Sequence, residues 1–223
     1  NDFGQVDVRY TSGVVERVHF FAAKLKWSRW AWVNLVKDEA VESLVRSLLR
    51  SFESFGGVPL VGVFDNPKTV VIRRIGNRIE WNTTFGQVAL DYRFAPELCA
   101  PARGNQKGAV ENLVGWVKGS FFKVRRFVDH ADLEEQLAEW LTEGNTKRPS
   151  RATGVIPAER MKEERPRLRA LAVPAQDYAL KFPVTVGPTG LVEHGGLRYA
   201  MPARTIGYPA TLHLYENRVK IVA

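Results

Sequence analysis

The stretch FGQVDVRYTSGVVERVHFFAAKLKWSRWAWVNLV (3–36) decides the fold. It holds three strand-like runs, FGQVDVRY, VVERVHFFAAKL and WAWVNLV, rich in β-branched and aromatic residues. They are separated at Thr11-Ser12-Gly13 and around Trp27-Ser28-Arg29, so the stretch predicts an antiparallel meander. Outward from it, Val41, Leu44, Val45, Leu48, Leu49 and Phe52 recur at helical spacing over about 38–54. Asp38 is the expected N-cap of that helix and Gly56-Gly57 its stop. A short apolar strand, LVGVF (60–64), then leads directly into Asp65.

Beyond a basic stretch carrying Lys68, Arg73, Arg74 and Arg78, a helix is expected over 82–92 and a brief strand over 93–100. Two further helices follow, over about 105–121 and 129–143. Residues 145–174 hold many Arg, Lys and Pro and one short helical segment near 157–164, and read as a basic linker. After it, ALKFPVTV, GLVEH, LRYAMP, ATLHLYE and RVKIVA are short strands punctuated by glycine-containing and Glu-Asn turns, the pattern of a small barrel. The expected division is therefore an α/β domain over 1–144, a linker over 145–174 and an all-β barrel over 175–223.

Composition narrows the function. With 223 residues and 45% hydrophobic content the chain can bury a substantial core. Its net charge of +8 favours a polyanionic partner. A single cysteine, Cys99, excludes an internal disulfide and a cysteine-based zinc site and points to a reducing, cytoplasmic setting. No apolar run approaches the roughly 20 residues that span a bilayer. No phosphate-binding G-x-x-x-x-G-K-[ST] pattern occurs, so an ATPase is not expected. The opening residue is Asn1, directly before a strand, and suggests a piece of a longer polypeptide.

Three acids stand where acids are locally awkward: Asp7 inside a strand pattern, Asp65 at the end of an apolar strand and Glu111 on an amphipathic helix. Three antiparallel strands, a helix, a fourth strand ending in an acid and a later helix bearing a glutamate make an RNase H-like succession, a mixed five-stranded sheet flanked by helices. That order brings the three carboxylates together, within about 4 to 8 Å, the reach of a shared pair of divalent ions. Magnesium prefers such hard oxygen ligands, and manganese can substitute. Asp7 is the expected bridging ligand, with Asp65 and Glu111 each completing one metal's shell. Asn66, Lys68, Arg73, Arg74, Lys107, Lys118, Lys123, Arg125 and Arg126 are the candidate DNA contacts.

The segments FDNPKTVV (64–71), LDYRF (90–94) and RGNQKGAVENLVGWVKGSFF (103–122) resemble the IstA-type transposases of insertion-sequence family twenty-one. QVDV (5–8), ATGVIPAERMKEERPRLRAL (152–171) and GGLRYAMP (195–202) are similar to that family too. The resemblance implies a DDE integrase core with an appended barrel, Asp7, Asp65 and Glu111 as its triad, and joining of transposon 3′-hydroxyl ends to target DNA. It also implies an assembly of at least two copies on DNA, an AAA+ ATPase helper, helix-turn-helix segments preceding the core, and a bacterial, nucleoid-associated setting. One departure stands at Asn145-Thr-Lys-Arg-Pro-Ser-Arg, where relatives carry a His-Arg pair. A nuclease that only cuts, and a DNA-binding assembly module without chemistry, are the alternatives.

Overall fold

The structure, a computed structural model, describes residues 1–64, 69–76, 78–99 and 113–223. These form two compact units, Asn1–Ala172 and Val173–Ala223. In the first, β1 (Asp2–Arg9), β2 (Val15–Lys24) and β3 (Ala31–Val36) build the expected antiparallel meander in the order β1-β2-β3. Asp2 lies opposite Ala22, Asp7 opposite Arg17, and Lys24 opposite Ala31. Val8, Val18, Phe20, Ala22 and Val33 bury one face of the sheet, and Phe21 and Ala23 of β2 are buried on the other.

Helix α1 (Val41–Phe55) follows β3, and its apolar stripe of Leu44, Val45, Leu48, Leu49 and Phe52 is fully buried. The cap differs from expectation. Ala40 holds the N-cap position, while the Asp38 carboxylate accepts from Ala40 N at 3.0 Å and Ser43 Oγ at 2.6 Å. Asp38 thus braces the first turn from two residues further out. Strand β4 (Val61–Phe64) pairs in parallel with β7 (Ala95–Leu98). Between them stand β5 (Val71–Ile75), β6 (Arg78–Trp81) and α2 (Thr83–Asp91), the last capped by Asn82. The β5–β6 hairpin replaces the irregular basic stretch expected from the sequence.

Helix α3 (113–120) and helix α4 (His130–Thr146) cover the buried face of the meander. Leu113, Val117 and Phe121 join Val8, Phe20 and Ala22 in one core with Leu133, Leu137 and Trp140. The Asn145 side chain, wholly inside, exchanges two hydrogen bonds of 2.9 Å with the backbone of Ala31 and so fastens α4 to the edge strand β3.

Residues 145–172, read from the sequence as a linker, are held to this unit. Helix α5 (Pro157–Glu164) places the Glu164 carboxylate on Ser28 N at 2.8 Å and Arg160 4.1 Å over the Trp27 ring. Val58 and Arg169 exchange backbone hydrogen bonds of 2.8 and 3.0 Å. The abundance of arginine reflects these anchoring roles, which charge composition cannot distinguish from a solvated tether.

The second unit is all-β apart from single 3-10 turns. Strands β8 (Leu180–Thr185), β11 (Pro209–Leu214) and β12 (Val219–Val222) form a sheet in the order β12-β11-β8, and β9 (Leu191–His194) pairs with β10 (Leu197–Ala200). Gly195 and Gly196, at φ 59° and 79°, make the two-residue turn of that hairpin, where both positions need a left-handed backbone. Val186, Val192, Ala210 and Leu212 share one core, against which Phe182, Tyr199, Met201 and Ile221 pack.

Candidate active site

Of the three acids singled out by sequence, Asp65, Glu111 and their neighbours Asn66, Lys68 and Lys107 lie outside the described residues. The described residues on either side are those of β4, which ends at Phe64, one residue before Asp65 in the sequence, and of α3, described from Leu113, two residues after Glu111 in the sequence.

Asp7 stands in an unexpected setting. Its carboxylate accepts from both Arg17 Nε at 2.8 Å and Arg17 Nη2 at 3.1 Å, and both side chains are more than half exposed. That guanidinium holds the Asp7 carboxyl below its ordinary value, first by donating to it and then by its charge. The strand's alternation also turns Asp7 away from α3. Val6 and Val8 face the core to which Leu113 and Val117 belong, and Asp7 between them points to the opposite side of the sheet.

The residue on the α3 face at the other end of β1 is Asp2. It shares parity with Gly4, Val6 and Val8 and lies directly opposite the buried Ala22. Its Oδ1 accepts from Phe3 N at 2.9 Å, and the side chain is half-buried. This end of β1 also meets β4: the Asn1 amino group and its Nδ2 donate to Val63 O at 3.0 and 3.2 Å. Asp7 is five residues further on, about 17 Å away along an extended strand. The apolar positions Val6, Val8 and Tyr10 are all even, a parity that Asp2 shares and Asp7 does not.

The basic candidates disperse. Arg73 pairs with Glu80 across the β5–β6 hairpin, and Arg74 Nε donates to Gly76 O at 3.3 Å. Lys118 is half-buried on α3. Lys123 and Arg126 are exposed, and Arg125 donates to Gln136 Oε1 at 3.2 Å with its guanidinium 5.5 Å from the Phe121 ring centre. The latter three belong to the segment that meets the far end of β1, where Thr11 N donates to Phe127 O at 2.9 Å. That is eight or more residues beyond Asp2, roughly 26 Å by strand rise. Among the described residues no cluster of three His, Cys, Asp or Glu side chains has a metal-holding arrangement. No helix among them is long and apolar enough to cross a membrane.

No protein-family model matches the chain. It is 31% identical over 234 residues to the transposase for insertion sequence element IS21 of Pseudomonas aeruginosa, covering 100% of this chain and 59% of that protein. It is 32% identical over 181 residues to the putative transposase for insertion sequence element IS5376 of Geobacillus stearothermophilus, 81% of this chain and 44% of that one. The chain thus spans about half the length of the curated relatives it matches. Among solved structures, a chain of the simian T-cell lymphotropic virus intasome in complex with PP2A regulatory subunit B56 gamma superposes with a TM-score of 0.52 at 16% identity, covering 99% of this chain and 74% of that one. This likeness is one of fold alone. Over the stretch it shares with them, the chain is similar to the transposases of IS21 and its relatives.

Proposed function

We propose that this chain is the catalytic part of a DNA transposase, a DDE-type polynucleotidyl transferase that cuts and joins DNA strands at a site built from Asp2, Asp65 and Glu111. The observation that carries the reading is the junction of β1 with β4. Asn1 is bonded to Val63, and a residue two positions beyond Val63 is at most about 7.6 Å from it whatever its conformation. In this proposal Asp2 is the bridging carboxylate in place of Asp7, whose own carboxylate is paired with Arg17 on the other face. We further read the all-β unit as a small barrel, supported by the single core that both its sheets bury.

Three carboxylates offer the hard oxygen donors that magnesium takes, with positions left for water and phosphate, so the donor set fits a divalent ion. Two such ions would supply charge to an attacking 3′-hydroxyl or water and to the departing oxygen. The chain's own contribution is to fix the carboxylates. Asp2 is held by the ladder to β2, and Gly4 lets Phe20 close against β1, so the first ligand stands on a rigid strand. DNA, both transposon ends and target, is the proposed substrate. A second copy is needed to handle two ends, and an AAA+ ATPase helper is the proposed source of regulation.

The test is a joining assay with the full-length transposase, paired transposon ends, a target plasmid and magnesium. Covalent joining of 3′ ends to the plasmid is the expected product. Cleavage without joining would instead make the protein a nuclease, and neither product would leave a DNA-binding module.

A further inference from the structure

At the same end and on the same face of the sheet as Asp2 lies a lysine that no pattern in the sequence marks. Lys24 closes β2, two residues beyond Ala22, the partner of Asp2. Strand rise and strand spacing put its Cα roughly 8 Å from that of Asp2. Its stem shares the side of the sheet on which Phe20 and Ala22 pack beneath α3. Its Nζ rests 3.9 Å over the ring of Trp116, itself 4.6 Å from the Trp140 ring.

Two features of this ammonium call for an anion. Among the described residues Lys24 has no carboxylate partner. The charge that acts on it is a second cation, Arg29, on the turn closed by the 2.9 Å hydrogen bond from Leu25 N to Trp30 O. Arg29 is held at φ 67° with a buried Nε that has no hydrogen-bond partner among the described residues. A half-buried cation beside a like charge is unfavourable on its own, and the indole face offsets only part of that cost. Burial, then the Arg29 charge, push the Lys24 ammonium down to about 8. An anion seated between the two cations removes the repulsion and satisfies the orphaned donor at once.

We propose that Lys24 and Arg29 form a phosphate-binding pair that holds the DNA backbone beside the carboxylate site. The proposal rests on the transposase reading and names the residues that seat its substrate. Lys24 acts by binding and orienting the strand and takes no proton from the reaction. Trp116 sets the ammonium's position, which connects the helix following Glu111 to the substrate.

The experiment measures binding of a fluorescein-labelled duplex of about 30 base pairs to the 223-residue chain by anisotropy, from about 50 to 200 mM salt, for the parent, Lys24→Met and Lys24→Arg. Each phosphate neutralised contributes about 0.9 to the slope of log K against log salt. Lys24→Met keeps the stem on Trp116 and should lower the slope by about that amount, with affinity reduced roughly five- to tenfold. Lys24→Arg should keep the parental slope. A merely structural role would alter the melting temperature and leave the slope alone. As a second readout, the lysine Cε resonances of the 13C-labelled parent, with Lys24 assigned from the Lys24→Arg spectrum, should show its midpoint near 8 move upward when duplex saturates the chain. A parental slope in Lys24→Met, or a Lys24 midpoint that ignores DNA, overturns the proposal and leaves the transposase reading intact. A parent chain that binds no duplex overturns both.

Discussion

Replacing Gly4 by alanine tests how tightly β1 is seated at the site. An ideal Cβ at Gly4 would lie 2.3 Å from Phe20 Cζ and 2.8 Å from both Cε atoms. Ordinary carbon contacts begin near 3.4 Å, so strand or ring must yield by about 1 Å. The ring has little room: Phe20 is fully buried, with its centroid 5.3 Å from that of Phe122. Overpacking of this kind costs about 1 to 3 kcal/mol. For a unit of this size each kcal/mol lowers the melting temperature by roughly 2 to 4 °C. All six tryptophans of the chain lie within Asn1–Ala172, so their fluorescence in urea reports this unit alone. Phe20→Leu removes the clashing ring atoms, and Gly4→Ala in that background should cost at least about 1 kcal/mol less than in the parent. A Gly4→Ala chain with the parental urea midpoint, or a double-mutant cycle additive within about 0.5 kcal/mol, would refute the close approach.

Asn145→Ala should cost about 2 to 4 kcal/mol, because it strips partners from the buried N–H and C=O of Ala31; Asn145→Asp should restore less than half, since a carboxylate cannot donate to Ala31 O. The far end of β1 gives a pH dependence. The Tyr10 hydroxyl, hydrogen-bonded to Glu16, is raised, by burial first and by Glu16 second, with Asp129 adding to it. Glu16 is lowered, by the Tyr10 donation first and, after the opposing effect of burial, by His130. A lowered carboxyl stabilises the fold above its unfolded pKa and loses that contribution as pH falls through it, whereas a raised phenol stabilises below about pH 10 and loses it above. Tyr10→Phe should therefore be less stable than the parent at neutral pH. The gap should narrow both below pH 4 and above pH 10 in thermal melts; a constant gap would disprove the coupling.

Much of this was legible in the sequence, and the gaps have physical causes. The meander, α1, α4 and α5 follow from periodicities that the burial of Val18, Phe20, Leu44, Leu48, Leu133 and Met161 enforces. The β5–β6 hairpin was hidden because Arg73, Arg74 and Arg78 resemble a loop until Glu80 pairs with Arg73 across the ladder. The anchoring of 145–172 depends on Glu164 reaching Ser28 and Arg169 pairing with Val58, contacts between residues 111 to 136 positions apart that no local pattern encodes. For the site, residue types and the order of elements were readable, but the face of the sheet that each acid on β1 occupies relative to α3 was not, because it depends on which side the helix packs. Lys24 was invisible for a related reason: at the end of a strand it reads as a solvated terminus, and its indole partner is 92 residues away.

The most direct measurement of the central claim is manganese binding, followed by electron paramagnetic resonance, to the full-length transposase and to Asp2→Asn, Asp7→Asn, Asp65→Asn and Glu111→Gln, with strand joining assayed on the same samples. Asp2→Asn, Asp65→Asn and Glu111→Gln should each lose the tight manganese signal and all joining while melting as cooperatively as the parent. Asp7→Asn should keep both, having lost only an exposed ion pair with Arg17. Loss of manganese and joining in Asp7→Asn, with both retained in Asp2→Asn, would contradict it.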